Sequence, residues 1–506
     1  MTNLRAVALL ILAPTKGRKQ YRVERLGFLG ITCLVVAFCI ATAIASPAQT
    51  FTTLFNFSGR NGWSPYSSLT QGVDGNFYGT TYQGGSYYNL QAGDYGYGTV
   101  YRITPAGRQK VIHSFGPAFG SGPDTGLVLG TDGNFYGTTY DYPGTVFKIK
   151  AGGKLTTLAG DWGIVAPLVQ GTDGNFYGTT EYGGTGCGNT GCGTVFKITP
   201  SGTLTTLYDF CSQPNCTDGS NPYGALVQAT DGNFYGTTSR GGGSADSGTV
   251  FKITPSGTLA TLYSFCSQPN CSDGSGPNGG LVQATDGSLY GTTSGGGVSD
   301  GGTVFKITLS GTLSTLYSFC SQLNCPDGAY PFDSLTQGTD GNFYGITVGG
   351  GGRDCPYESQ GCGTVFAITP AGTLTTLHSF CLQNCDDGFD PLAGLVQGTD
   401  GSFYGTTAGY LGEPVINLGT VFNLSVGLGP FVKTNPTSGH LGTKVVILGN
   451  NLTGTTAVSF NGTAAKFRVV RSTEVTAKVP KGATTGPVTV TTPSGTLTSN
   501  VQFMIQ

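Results

Sequence analysis

The chain has 506 residues, 86 of them glycine, with 11% aromatic residues, 10% charged residues and a formal net charge of -2. That length exceeds one ordinary core, so more than one domain is expected. Glycine at no fixed third position excludes collagen, the aromatic content excludes disorder, and the balanced charge leaves no electrostatic case for nucleic acid; a turn-rich, all-β chain remains.

In chain order, residues 1–48 read as targeting sequence. Arg5, Lys16, Arg18, Lys19, Arg22 and Arg25 form a basic n-region, and a mainly apolar run follows from Leu26 to about Ile44. Ala43-Ile44-Ala45 then offers small residues at the positions a signal peptidase reads, with Ser46-Pro47-Ala48 a second cleavage site. The apolar run is also just long enough to span a bilayer, so an uncleaved anchor is the alternative and the one membrane association expected. Both readings export the protein, as a secreted or cell-surface molecule.

Thr50 to Phe57 looks like a strand with no partner before it. After it, Asp-Gly-Asn/Ser-Phe/Leu-Tyr-Gly begins seven times, at Asp74, Asp132, Asp173, Asp231, Asp286, Asp340 and Asp400, with spacings of 41 to 60 residues. Gly-Thr-Val-Phe/Tyr follows each copy, at Gly98, Gly144, Gly193, Gly248, Gly302, Gly363 and Gly419. In one unit, Leu226-Val227-Gln228 is a strand, Thr230 to Asn233 a hairpin turn and Phe234 to Thr238 a second strand. A glycine-rich loop leads to a third strand, Gly248 to Thr254. Pro255-Ser256-Gly257 turns into a fourth, Thr258 to Phe265, with Leu259, Thr261, Tyr263 and Phe265 expected on one face. Four antiparallel strands at this period match a propeller blade. The last unit lacks a fourth strand, which the N-terminal strand would supply. The expected fold over 49–426 is therefore a seven-bladed β-propeller closed by its N-terminal strand. Residues 429–506 are rich in Thr and Val and carry alternating strands such as Lys444 to Leu448 and Val488 to Thr491, as an immunoglobulin-like β-sandwich would.

Export makes the cysteines readable. Twelve follow the leader in six close pairs: Cys187/Cys192, Cys211/Cys216, Cys266/Cys271, Cys320/Cys325, Cys355/Cys362 and Cys381/Cys385. They read as disulfides. The rival is a metal, but each pair offers only two thiols and no neighbouring histidine, whereas structural zinc takes four ligands. Each bridge would close a very short loop and contribute roughly 2 kcal/mol at most.

The repeat, quoted as Leu226 to Thr238 with Gly248 to Phe265, resembles the GloVer tandem repeat of exported bacterial "choice-of-anchor" proteins over about Thr50 to Leu424. Pro436 to Gly439, Gly442-Thr443, Gly449 to Leu452, Phe460 to Gly462 and Val479-Pro480 resemble an IPT/TIG domain. These resemblances imply export and surface attachment but no activity. Attachment would fall to the N-terminal segment or be absent.

Chemistry has little to build on. His113, His378 and His440 are the only histidines. The first two replace the fourth-strand tyrosines Tyr208, Tyr263 and Tyr317, as packing substitutions would. No phosphate loop or dinucleotide fingerprint appears. The Asp of each Asp-Gly pair is read as turn chemistry. So is the loop set Asp218, Asp273, Asp327 and Asp387, with calcium the alternative for both sets; no other cofactor is expected. No repeat stands out by unusual polar residues, and the largest asymmetry is the loop Tyr82 to Tyr97, whose one acid is Asp94. The long connections emerge on one face and carry all six cysteine pairs together with Tyr82, Tyr87, Tyr88, Tyr95, Tyr97, Tyr182, Tyr223, Tyr330, Phe332, Tyr357 and Tyr410. The expected function is non-enzymatic binding of a glycan or an extracellular protein on that face. A polysaccharide lyase or hydrolase, or a purely structural surface protein, are the alternatives.

Overall fold

The computed structural model describes residues 49–506 apart from 118–119, 141–143, 162–165, 189–190, 352–360, 383–384 and 413–414. The leader expected over 1–48 lies outside the described residues, as do Cys355 and Tyr357. Among the described residues no helix is long and apolar enough to cross a membrane.

Each repeat folds into one four-stranded antiparallel sheet. Val227–Gln228, Phe234–Thr238, Thr249–Ile253 and Leu259–Ser264 lie side by side in chain order. The first turn forms because Gly232 takes a φ of 81° and Asp231 Oδ1 accepts from the Asn233 N–H. Seven sheets of this kind occur among the described residues, giving an all-β chain of propeller-like repeats. Thr50–Asn56 pairs antiparallel with Thr420–Ser425 and so completes the sheet of the last repeat.

Fourth strands depart from the expected alternation. The register shifts between Val250 and Phe251, so that Tyr263 pairs with Val250 and Thr261 with Phe251, leaving Leu262 as the extra residue. Such a bulge reverses the phase of the strand. Thr261 is consequently exposed, and Leu262 packs on the buried core instead.

Contacts between successive sheets repeat too. The recurring Tyr packs on the Phe of the next repeat, Tyr78 on Phe135 at 4.2 Å between ring centroids, Tyr136 on Phe176 at 3.9 Å and Tyr344 on Phe403 at 4.0 Å, except that Tyr235 shares its cluster with Leu289, which replaces the Phe of the fifth repeat. Tyr404 of the last repeat stacks on Phe77 of the first at 4.0 Å. The innermost strands follow the same rule. Thr172 N donates to Gln228 Oε1 and Thr230 N to Gln283 Oε1, each at 2.9 Å, and Thr399 N donates to Gln71 Oε1 at 3.1 Å. The last sheet therefore meets the first as each sheet meets its successor.

The Asp-Gly carboxylates do more than shape the turn. Asp231 Oδ2 accepts from Tyr235 Oη at 2.8 Å and from Lys252 Nζ at 2.8 Å. Burial opposes ionisation, but the Lys252, Asn233 and Tyr235 donors together hold its carboxyl down at about 2, and Asp132 is likewise held at about 2 by Lys148, Asn134 and Tyr136. A depressed carboxyl stabilises the fold above its unfolded value near 3.8 and loses that contribution as pH falls towards 2. The melting temperature should fall steeply between pH 4 and 2, and less so in Asp132→Asn/Asp231→Asn; thermal melts across that window check this.

Residues beyond 429 form two further four-stranded sheets. Lys433–Asn435, Lys444–Leu448, Glu474–Lys478 and Phe467–Arg471 make one; Thr463–Ala464, Ala457–Phe460, Val488–Thr492 and Gly495–Thr498 make the other. Val445, Ile447, Val458, Phe460, Val475, Val488 and Val490 fill one core between them. This part lies against the short-turn side of the repeats: Thr473 Oγ1 donates to Val73 O at 2.8 Å, Asn435 Nδ2 to Leu129 O at 3.1 Å and Phe431 N to Thr399 O at 3.1 Å. Lys433 Nζ donates to Gln397 O in the same contact.

Candidate binding cavity on the long-loop side

On the long-loop side, the connection into the first strand passes through an equivalent proline in six of the seven repeats, at Pro65, Pro123, Pro222, Pro277, Pro331 and Pro391. Glycine makes this passage feasible. A Cβ on Gly248, the first residue of its Gly-Thr-Val motif, would lie 2.2 Å from Thr238 O and 2.7 Å from Pro277 Cδ. The same closeness recurs at Gly98 with Pro123, Gly302 with Pro331 and Gly419 with Pro65. The residues after the proline are then pinned by the neighbouring repeat. Thr80 Oγ1 donates to Thr125 O at 3.0 Å, Thr237 Oγ1 to Gly279 O at 3.0 Å, Thr292 Oγ1 to Asp333 O at 3.2 Å and Thr406 Oγ1 to Pro65 O at 3.0 Å.

The pinned residues surround a cavity of about 400 Å³. The position directly after the proline varies among these six repeats and lines the cavity: Tyr66, Asp124, Tyr223, Asn278, Phe332 and Leu392. Two aromatic pairs stand in its wall. Tyr66 and Tyr82 lie 5.6 Å apart, and Tyr223 meets Phe332 edge-on at 5.7 Å. Tyr140 completes the aromatic lining.

Acids sit among these rings. Asp333 stands where other repeats have Ser67, Thr125, Ala166, Gly224, Gly279 and Ala393. Its Oδ2 accepts from Gly394 N at 2.5 Å, and its Oδ1 from Ser334 N at 2.6 Å and Ser334 Oγ at 3.1 Å. Burial pushes its carboxyl up, against the pull of these donors. Glu181 stands where other repeats have Tyr82, Tyr140, Ser239, Ser294, Val348 and Ala408. Burial raises it as well, while a hydrogen bond from Tyr182 and the charge of Arg240 act in the opposite sense. The Tyr223 hydroxyl is pushed well above the ordinary tyrosine range by burial first, then by the charges of Asp124, Glu181 and Asp333. These acids therefore share one electrostatic field.

The expectation that no repeat stands out by its polar residues is thus corrected. The second, fourth and sixth repeats bring Asp124, Tyr223 and Asp333 to one cavity, and the third places Glu181 in reach of its field. The sequence reading passed over Tyr66, Asp124, Tyr140, Glu181 and Asp333. Comparing the repeats column by column at the residues after the loop proline would have found three of them.

Of the tyrosines expected to carry the ligand, Tyr82 and Tyr223 line the cavity with Phe332. Tyr87, Tyr88, Tyr95, Tyr97, Tyr182 and Tyr330 are not part of its lining. Trp63 packs edge-on against Tyr95 at 5.3 Å and Tyr88 at 6.4 Å, and Tyr87 against Tyr97 at 5.5 Å. The tyrosine-rich loop thus largely covers itself. Tyr87, Tyr95 and Tyr182 remain exposed at their outer edges. Tyr330 has a φ of 57° and binds through its backbone, its N–H donating to Gly301 O and its carbonyl accepting from Val348 N. Tyr410 lies in a short hairpin strand, Tyr410–Gly412.

Three of the four loop aspartates clamp their own loops through fourth-strand tyrosines. Asp273 Oδ2 accepts from Tyr263 Oη at 2.7 Å, Ser267 N at 2.9 Å and Ser267 Oγ at 2.8 Å, and Asp218 repeats the set with Tyr208 and Ser212. Asp327 accepts from Tyr317 Oη at 2.9 Å. In the sixth repeat His378 replaces the tyrosine, its Nε2 lying 2.8 Å from Asp387 Oδ2. Asp273→Ala should cost about 2–3 kcal/mol, four donors, with Gln268 N the fourth, losing a buried carboxylate. Asp327→Ala, with fewer bonds to lose, should cost less; denaturant melts of both variants compare them.

Disulfides join Cys187 to Cys192, Cys211 to Cys216, Cys266 to Cys271, Cys320 to Cys325 and Cys381 to Cys385, and Cys362 is disulfide-bonded as well. Bridges in this number point to an exported protein.

No curated protein sequence matches the chain. Among solved structures it is similar to the extracellular domain named for a hybrid two-component system of B. thetaiotaomicron, at 13% identity and a TM-score of 0.47, covering 91% of this chain and 60% of that one. It is also similar to a luciferin-regenerating enzyme at 15% identity and a TM-score of 0.39, covering 59% of this chain and 89% of that one. The chain thus spans 60% of the first domain's length. The Gloeobacter/Verrucomicrobia repeat matches four overlapping stretches, residues 40–160, 87–277, 159–355 and 267–470, and the chain belongs to that repeat family.

Proposed function

We propose that this is a non-enzymatic glycan-binding protein, secreted or held at the cell surface, whose ligand sits in the cavity on the long-loop side. In this reading the seven sheets are the blades of one propeller closed by the N-terminal strand, and the C-terminal sheets are an IPT/TIG-like immunoglobulin sandwich serving as spacer or second adhesive module. The observation that carries it is the break in repeat symmetry at the cavity. Tyr66, Tyr82, Tyr223 and Phe332 offer flat apolar faces for the C–H faces of a sugar, and Asp124 and Asp333 offer carboxylate acceptors for its hydroxyls. The acids disfavour acidic sugars, so a neutral oligosaccharide fits best. A lyase or hydrolase remains the competing reading, favoured by the raised carboxyl of Glu181, whose charge acts on the cavity-lining Tyr223.

The test is a glycan array probed with the 49–506 chain under non-reducing conditions, with and without chelator, followed by product analysis on any glycan retained. Saturable binding of neutral glycans without turnover and without dependence on calcium is expected, because Asp218, Asp273, Asp327 and Asp387 are engaged in their loops. Turnover abolished by Glu181→Gln would overturn the binding reading in favour of an enzyme, and binding lost on chelation would make those aspartates ligands.

A further inference from the structure

The sequence reading set zinc aside because each cysteine pair offers two thiols. Folding changes that count in the third repeat. The Cys187 to Cys192 loop and the Cys211 to Cys216 loop come together, and their four Sγ atoms all lie within 4.8 Å of one another.

Other contacts than the disulfides hold the two loops in place. Gly186 lies so close to the second loop that a Cβ there would meet Phe210 O at 2.5 Å and Cys211 Cβ at 3.3 Å. Thr185 Oγ1 donates to Asp209 Oδ2 at 3.1 Å, Phe210 N to Gly193 O at 3.0 Å and Asn221 N to Cys192 O at 2.8 Å. Cys192 and Phe210 share one buried cluster, with Cys211 packed against it. Both disulfides close their own loop, and neither ties one loop to the other.

A tetrahedral zinc with Zn–S bonds of about 2.3 Å sets its sulfurs about 3.8 Å apart. Reaching that spacing, with the two loops' sulfurs drawing in from within 4.8 Å and the sulfurs of each broken disulfide parting from about 2 Å, asks for shifts on the order of 1 Å per sulfur. We propose that, once its two disulfides are reduced, this quartet binds one divalent zinc through four thiolates and so crosslinks the two loops. Each disulfide takes two electrons. With a phosphine and one water per bridge, the S–S bond breaks, phosphorus is oxidised to the phosphine oxide, and two thiols form. Zinc then displaces the thiol protons to solvent as the four Zn–S bonds form. Re-oxidation by an added small-molecule disulfide, which takes up two electrons per bridge and is itself cleaved to two thiols, would rebuild the protein disulfides and release the metal. The site is a redox-gated one, and it exchanges two closed loops for one loop-to-loop bridge.

The Cys266/Cys271 pair provides the internal control. It occupies the equivalent loop of the fourth repeat, but the facing loop there, Gly241 to Asp246, contains no cysteine.

The experiment reduces the 49–506 chain with a water-soluble phosphine under anaerobic conditions, removes the reductant, and titrates with Co²⁺ as a spectroscopic probe. Zn²⁺ is then added in competition. The oxidised chain should show no cobalt–thiolate absorption. The reduced chain should show the charge-transfer and visible bands of a tetrahedral all-sulfur site, bleached by zinc. Cys187→Ser/Cys211→Ser should lose one cobalt equivalent per chain relative to wild type, and Cys266→Ser/Cys271→Ser should lose none. Far-UV spectra taken alongside should show the same fold in all samples. An absent thiolate band, an equal loss in both double variants, or loss of the fold on reduction would each overturn the proposal.

Discussion

A chain that begins at Ser58 should fail to reach a cooperative native state. Removing Thr50–Asn56 and Phe57 strips the last repeat of its outer strand and leaves Thr420–Ser425 as an unpaired edge. It also removes Phe51, which stacks on Phe422 at 5.1 Å and on His378 at 3.7 Å, and buried Phe57, which packs on Tyr101 at 5.2 Å. Phe57 is buried, and Phe51, Leu54 and Phe55 are partly buried, so Phe57 approaches the about 1.5–3 kcal/mol of a fully buried side chain and the other three contribute a part of it each. Together with the lost strand pairing this is a large fraction of the stability of a typical domain, about 5–15 kcal/mol. Supplying the strand in trans as a peptide covering residues 49–57 should restore a folding transition. Denaturant unfolding of the truncated chain, with and without the peptide, checks this. An unchanged midpoint without the peptide would show that the strand contributes only locally.

Removing the aromatic wall of the cavity should have the largest effect on binding. Tyr223→Ala and Phe332→Ala are each expected to weaken a retained neutral oligosaccharide by at least about 10-fold, or 1.4 kcal/mol, as anchors in a desolvated pocket do. The two rings touch at 5.7 Å, so the double variant should lose less than the product of the single effects. Tyr87→Ala, whose ring packs on Tyr97 in the outer loop, should bind within about twofold of wild type. Calorimetric titration of the four proteins tests the ordering. Equal losses at Tyr87 and Tyr223 would place the ligand on the outer loops.

Much of the sheet architecture is legible from the repeat because its two motifs do local work. Asp231-Gly232 sets a turn, and Gly248 makes room for Pro277; both act within hydrogen-bonding or van der Waals reach. The completing role of Thr50–Asn56 is legible from counting strands at the two ends. The phase of the fourth strands is not, because the bulge at Leu262 adds a residue without a sequence mark. The cavity is harder still. Tyr66, Asp124, Tyr223 and Asp333 lie up to hundreds of residues apart in the chain and meet only because several repeats bring the residues just after their loop prolines to one cavity. A motif search rewards what repeats, and these residues matter through how they differ. The tyrosine-rich loop drew attention by composition, but its rings are drawn in by Trp63 and by one another. The cysteine quartet follows the same logic, since its members are local pairs in sequence and neighbours only in space.

A crystal structure of the 49–506 chain soaked with the oligosaccharide it retains most strongly would locate the ligand itself. A sugar ring is expected between the Tyr66/Tyr82 and Tyr223/Phe332 pairs, with hydroxyls directed at Asp124 or Asp333. Sugar density over Tyr87, Tyr95 and Tyr182 instead, with the cavity filled only by water, would rule out this placement.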